Sequence, residues 1–189
     1  MTMPSAAVAR AGRAHPETVQ PASAAMHVIA RVGVERFAFP VADVEAVLET
    51  PKLLAAPSAP PELAGQMVHG ERTLRAYDAA WVFGVARPQA LVAATALVLR
   101  AADARVVLLV DDVEDLASLD PDSTRTPPHG SDPYGVLRGV CVPPAGGAAH
   151  PCDTAALIAV VNAAAVIARA AALRGARGEA RGEAIPVRA

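Results

Sequence analysis

Large side chains are scarce in this chain. One Trp, two Tyr and three Phe make up only 3% of its 189 residues, although hydrophobic residues reach 53%. Alanine supplies much of that count and buries little area per residue, so the mean hydropathy of +0.31 overstates the apolar surface available to a core. Cysteine is nearly absent: Cys141 and Cys152 are too few for a disulfide scaffold or a structural zinc site, which fits a reducing cytosol. No sign of charge dominates. With 17 basic and 19 acidic residues and a net charge of -2, no whole-chain field draws phosphate backbones, and nucleic acid is excluded as an expected partner. Long apolar runs are missing too. The longest, Ala155 to Ala168, is interrupted by Asn162 and closed by Arg169, short of the roughly 20 residues that cross a bilayer. The first 25 residues contain no uninterrupted apolar stretch of the kind a secretory signal needs, so neither export nor membrane insertion is expected.

What is present is alternation. Met26, Val28, Ala30 and Val32 alternate with His27, Ile29, Arg31 and Gly33, the period of a strand with one mostly apolar face. Gly33 permits a tight reversal and Phe37, Phe39 and Val41 resume the pattern, which predicts a β-hairpin over Met26 to Val41. Pro57, Pro60 and Pro61 mark an extended connector ending at Gly65, and Gln66 to Tyr77 reads as a third extended segment. Asp78 is placed to cap a short helix over Ala79 to Phe83 that Gly84 stops. Leu91 to Arg100 and Arg105 to Val110, dense in Val and Leu, flank a polar turn at Asp103 and predict a second hairpin. Ser118 to Gly135, with four prolines and two glycines, is a loop, and Val136 to Val142 is a last clear strand. Leu157, Ile158, Val161, Ala164, Ala165 and Ala168 then share one helical face. They predict a terminal helix with Asp153 as N-cap, Arg169 and Arg174 at its C-terminal dipole and Gly175 as its end. Short strands closed by one helix point to small β-barrels rather than a βαβ sheet. Residues 1–24 and 175–189, the latter holding a tandem Arg-Gly-Glu-Ala, are expected to be disordered flanks of a domain at 25–174.

Catalytic arrangements are absent from the sequence. It contains no Gly-x-Ser-x-Gly elbow, no phosphate-cradling loop ending in Lys-Ser or Lys-Thr and no dinucleotide fingerprint. His15, His27, His69, His129 and His150 never fall at metal-ligand helical spacing. Asp111, Asp112, Glu114 and Asp115 come nearest to an acid-base or metal site, but period two sends Asp111 and Asp115 to the face of Val113 and the other two away, as in a solvated strand end. Cys141, between Val140 and Val142, reads as a small buried apolar residue. His69 has no Ser, Cys or Asp beside it in a nucleophile arrangement and reads as a surface or turn histidine. Trp81 and Phe83 are both expected in the core, since so few large side chains are available to fill it. No catalytic residue, cofactor or metal is expected.

The order of several pieces resembles the CheW-like adaptor domain of bacterial chemosensory systems. They are Val32 to Val41, the Pro57 to Gly65 segment, Asp78 with Gly84 six residues on, Leu109 to Glu114, Leu137 to Val140, and Asp153 to Leu157. The resemblance spans about residues 26 to 160 and rests on their colinearity. It implies a mainly β fold of two small SH3-like five-stranded β-barrel subdomains with short helices and a C-terminal helix, with Gly33, Gly65, Asp78, Gly84, Asp111, Gly139 and Asp153 at motif positions. It also implies a non-catalytic cytoplasmic adaptor whose partners are the regulatory domain of a CheA-type histidine kinase and the cytoplasmic tip of chemoreceptors, the tip lying in a groove between the barrels. Holding both in one assembly raises their effective concentration and lets receptor state bias kinase state. The alternatives are a regulator of pilus-based surface motility that binds one partner, and an unrecognised small enzyme or ligand-binding β-barrel.

The chain departs from the family pattern in one region. Gly70-Glu71 and Arg75-Ala76 stand where members carry Arg-Gly and Pro-Val pairs, and Ala79 stands where a Leu follows the aspartate. His69, Gly70, Glu71, Arg72 and Arg75 are therefore the expected partner interface in altered form. Arg72, two residues from Gly70 and so on the same face of an extended strand, is expected to substitute in part for the lost arginine. The last hairpin reads as eroded, because Pro143 to Gly147 leads to Pro151 with little strand between. Deleting 1–24 and 176–189 together is expected to leave the thermal midpoint nearly unchanged, whereas truncating at Ile158 costs on the order of several kcal/mol. Calorimetric melting of both truncations checks this, and equal damage from the two would misplace the domain edge.

Overall fold

Residues around Gly33 fold back as the alternation predicts. β1 (Ala25–Val32) and β2 (Glu35–Pro40) pair antiparallel across a two-residue turn, with Val28 opposite Phe39 and Ala30 opposite Phe37. The computed structural model describes residues 25–56, 59, 61–86, 94–141 and 157–180. A 3-10 turn at Val41–Asp43 leads into β3 (Val44–Glu49), and β4 (Leu63–His69) and β5 (Arg72–Asp78) form a hairpin. The Asp78 carboxylate accepts the Ala80 N–H at 2.9 Å and starts α1 (Ala79–Phe83), which Gly84 ends in the left-handed region at φ 73. β6 (Thr95–Ala101) and β7 (Ala104–Val110) make the other expected hairpin, and β8 (Asp112–Leu119), β9 (Leu137–Cys141) and β10 (Ile158–Val161) complete the strands.

The strands form two five-stranded sheets, β8-β1-β2-β10-β9 and β3-β6-β7-β5-β4. Each sheet curls so that the segment after one edge strand meets the other edge: Leu54 bridges Gln66 on β4, and Arg125 bridges Val140 on β9. Both sheets are buried on two faces. Between them lies the largest core, where Val28, Ala30, Val32, Phe37 and Phe39 meet Leu97, Leu99, Val106, Leu108 and Val110. Behind the first sheet Ile29, Ala38, Cys141, Ile158 and Val160 form a second core, and behind the other sheet Met67, Leu74, Val98, Val107 and Leu109 form a third. This double burial is why β6 and β7 read as near-continuous Val and Leu runs, and why Ile29 is as buried as Val28.

The two sheets repeat one plan with the chain cut at different places. Set β8, β9, β10, the terminal helix, β1 and β2 against β3, β4, β5, α1, β6 and β7, and the sheet orders coincide, including the parallel pairs β10–β2 and β5–β7. Local detail follows. Leu63-Ala64-Gly65-Gln66 and Leu137-Arg138-Gly139-Val140 each bulge at the second residue. The Asp78 N–H donates to the Glu62 carbonyl and the Asn162 N–H to the Val136 carbonyl. In both copies the bulge glycine faces the bridging backbone: a Cβ on Gly65 would lie 2.8 Å from the Leu54 oxygen, and one on Gly139 would lie 2.7 Å from the Arg125 oxygen. Only glycine permits that approach.

Several expectations are corrected. Gln66 to Tyr77 is a hairpin, because Gly70 at φ 59 supplies the left-handed residue of a two-residue turn with Glu71. The terminal helix starts later than Asp153 would place it. Ile158 to Val161 pair with both β2 and β9, and α2 (Ala163–Ala180) begins after Asn162, whose side-chain oxygen accepts the Ala165 N–H at 3.3 Å. The β-branched residues that fit a helical face also fit a strand, and a second sheet face to bury decides for the strand. The last hairpin is therefore present as β9 and β10. The helix also passes Gly175 and Gly178 and stays helical to Ala180, each glycine costing only about 1 kcal/mol among strong helix formers. Trp81 is half exposed at 50%, and Phe83 alone enters the core, its ring stacked 4.2 Å from Phe37. Residues 1–24 and 181–189, Asp153, Cys152 and the Pro143 to Pro151 stretch lie outside the described residues.

Gly139→Ala places a methyl 2.3 Å from Thr124 Cγ2 as well as against the Arg125 carbonyl. It is expected to lower unfolding free energy by about 1 to 3 kcal/mol in urea denaturation. Thr124→Ser in the same chain should recover only part of that loss, because the backbone contact remains.

Candidate functional site

The expected interface lies at the turn end of the β4–β5 hairpin, on an edge of the second sheet. His69 pairs with Arg72 across the Gly70-Glu71 turn, and Arg75 sits farther along, opposite Gln66. Gly70 and Arg72 therefore do not share one strand, and the same-face relation expected of them does not hold. The turn instead brings Arg72 back beside His69, with Glu71, Arg72 and Arg75 all exposed. A polar seam runs from this hairpin to the opposite edge. His69 Nε2 is 3.5 Å from Glu45 Oε1 on β3, and Arg105 Nε on β7 donates to Glu45 Oε2 at 2.6 Å. The Arg105 hydrogen bond, reinforced by the positive charge of Arg105, His69 and Arg100, holds the Glu45 carboxyl below the usual glutamate range against an opposing desolvation effect.

A second surface carries no motif in the sequence. Leu116 on β8 lies opposite Val28, Met26 continues the face of Val28 along β1, and Val41 follows Pro40 in the 3-10 turn that ends β2. That face carries the core between the sheets, and at its rim it stays apolar while open to solvent: Met26 is 47% exposed, Val41 41% and Leu116 59%. The strip is thus continuous with the buried seam between the two halves. Its signal in the sequence was the period-two run extending to Met26 and Val41, which by itself does not distinguish a core residue from a rim residue.

The chemistry-bearing groups are dispersed. The Asp111 carboxylate accepts the Gly33 N–H, tying the β1–β2 turn to the end of β7. Asp112 and Asp115 accept the N–H groups of Val113 and Leu116, and Glu114 binds Arg31 at 3.3 Å and Arg36 at 2.8 Å. A register shift in the β1–β8 ladder puts Val113 opposite Ala30 and Asp115 opposite Ile29, so Asp115 does not share the face of Val113 as strict alternation predicts. Among the described residues, no group of three or more His, Cys, Asp or Glu is placed to hold a metal ion. Burial pushes the Cys141 thiol up, which keeps it protonated. No helix among the described residues is long and apolar enough to cross a membrane.

The family profile described as the CheW-like domain matches residues 27–170. Among solved structures, the crystal structure of the scaffolding protein TtCheW from Thermoanaerobacter tengcongensis is similar at a TM-score of 0.61 and 15% identity, covering 79% of this chain and 90% of that one. A search of curated protein sequences finds no match.

Glu45 generates a pH dependence with a definite sign. Its folded-state pKa is depressed, so the Arg105 contact contributes above the unfolded value and is lost as pH falls through the folded one. Thermal midpoints measured in steps below pH 4.5, the unperturbed glutamate value, are expected to fall more steeply for the parent than for Glu45→Gln. Parallel curves would remove Glu45 from the acid response.

Proposed function

Because the chain belongs to the CheW-like domain family of non-catalytic scaffolding domains, we propose that it couples chemoreceptors to a histidine kinase as a cytoplasmic adaptor. The observation that carries this reading is the solvent-open apolar strip of Met26, Val41 and Leu116 at the seam between the sheets. An amphipathic helical receptor tip buries such a strip in the helix-in-groove mode, with apolar anchors at helical spacing. The β4–β5 turn residues His69, Gly70, Glu71, Arg72 and Arg75 take the regulatory domain of the kinase. They lie on the other sheet, so the two partners need not compete. Arg72 and Arg75 are exposed and offer charge-assisted hydrogen bonds to a carboxylate or carbonyl of that partner.

Titration calorimetry with a receptor-tip helical hairpin and with the isolated kinase regulatory domain tests both assignments. Leu116→Asp is expected to weaken the tip complex about tenfold or more and to leave kinase binding unchanged. Arg72→Ala combined with Arg75→Ala is expected to do the reverse. Parental affinity in either matched pair would displace that surface from the interface.

A further inference from the structure

Helical spacing assigned Arg169 to the C-terminal dipole of its own helix. Its side chain does something else. Nε donates to the Val82 carbonyl at 2.8 Å and Nη2 to the Trp81 carbonyl at 3.4 Å, both in the last turn of α1. The N–H groups of Gly84 and Val85 both return to the Ala80 carbonyl, which leaves the next carbonyls of this five-residue helix for an outside donor. A cation there also meets the negative end of the helix. The same guanidinium lies 3.2 Å from the ring centroid of Tyr134, in the loop between β8 and β9. That ring in turn rests on Gly84, where a Cβ would lie 2.8 Å from Tyr134 Cε2.

One side chain thus ties α1, which belongs to the second half of the fold, to α2 and the β8–β9 loop, which belong to the first. The apolar core between the sheets resists separation through largely non-directional contacts, with the Phe37–Phe83 stack as its directional element. A planar fork with two carbonyl partners and a stacked ring is directional. We propose that Arg169 is a positioning residue that fixes the orientation of the two sheets, and with it the geometry in which the receptor strip and the kinase hairpin are presented together. The orientation rests on the geometry alone, and its signalling consequence rests on the adaptor reading.

The test uses the full chain with Cys152→Ser and nitroxide labels on Thr73→Cys and Ser118→Cys, exposed positions on the two sheets. Pulsed electron paramagnetic resonance is expected to give one narrow distance for the parent and for Tyr134→Phe. Arg169→Ala, Arg169→Lys and Tyr134→Ala should broaden it while core amides of both sheets keep slow hydrogen exchange. Exchange at Trp81 to Gly84 should accelerate about tenfold in Arg169→Ala. An unchanged distance in Arg169→Ala, or a lysine equal to the arginine, overturns the proposal. If Arg169→Ala loses core protection altogether, Tyr134→Ala decides, and a parental distance there overturns it. With the receptor tip and kinase present, Arg169→Ala should bind each alone as the parent does and lose receptor control of the kinase. Full control despite a broadened distance overturns the signalling half, whereas failure of the parent to bind either partner overturns the adaptor reading and leaves the distance result to decide the orientation.

Discussion

Phe83 is the contact that closes the core between the two halves. It arises on α1, a helix of the second sheet, and stacks on Phe37 of the first while its ring centroid lies 6.2 Å from that of the tilted Phe39 ring. Such a pair adds about 0.5 to 1.5 kcal/mol beyond the area it buries. In a chain with only three phenylalanines, all three sit in this one place. α2 makes the reverse crossing: it leaves the first sheet and packs Val166 and Ala170 into the shared core beside β6 and β7 of the second. Each half therefore carries part of the other's cover, and the seam is an interior rather than a contact between two finished domains.

The sequence made some of this legible and hid the rest for identifiable reasons. Elements with local determinants were readable: Gly33 between alternating runs, and Asp78 and Gly84 bracketing a five-residue helix. Elements defined by distant partners were not. Nothing local separates Ile158 to Val161 from the start of a helix until β2 and β9 are known to flank it. β3 leaves little mark on the sequence because its pattern is weak, with half-buried positions alternating with exposed ones and none fully covered. Scarcity of large side chains argues for a buried Trp81, but the neighbouring Phe83 already fills the aromatic site. Of the candidate surfaces, the hairpin residues are marked in the sequence only by family position, and the shared strand expected of Gly70 and Arg72 is replaced by a turn. The apolar strip carries no residue type that marks it, only its place at the rim.

The polar groups are placed to hold geometry rather than to gather at one point. Asp111, Glu114, Asp132 and Arg169 each bind backbone or an opposite charge across a join between elements: Asp111 at the β1–β2 turn, Glu114 with Arg31 and Arg36, Asp132 with the N–H groups of Val136 and Leu137, and Arg169 at α1. Hydrogen bonds to charged groups are the stronger class, so a small alanine-rich core is supplemented where its packing alone leaves freedom.

The displaced cut in the repeated plan has a consequence for synthesis on the ribosome. The second sheet is contiguous, β3 through β7, and can close as soon as residue 110 is free of the exit tunnel. The first sheet is split: β1 and β2 emerge before the other strands, yet their companions β9 and β10 begin at residues 137 and 158. Until then Ile29 and Ala38 have no wall behind them, and the β2 edge that β10 will occupy is open. A nascent chain in that state presents an apolar sheet face and an unpaired strand, the features that recruit chaperones or invite pairing with a neighbouring nascent chain. The half of the molecule whose strands come first is thus the half completed last, and it carries an open strand edge throughout the interval.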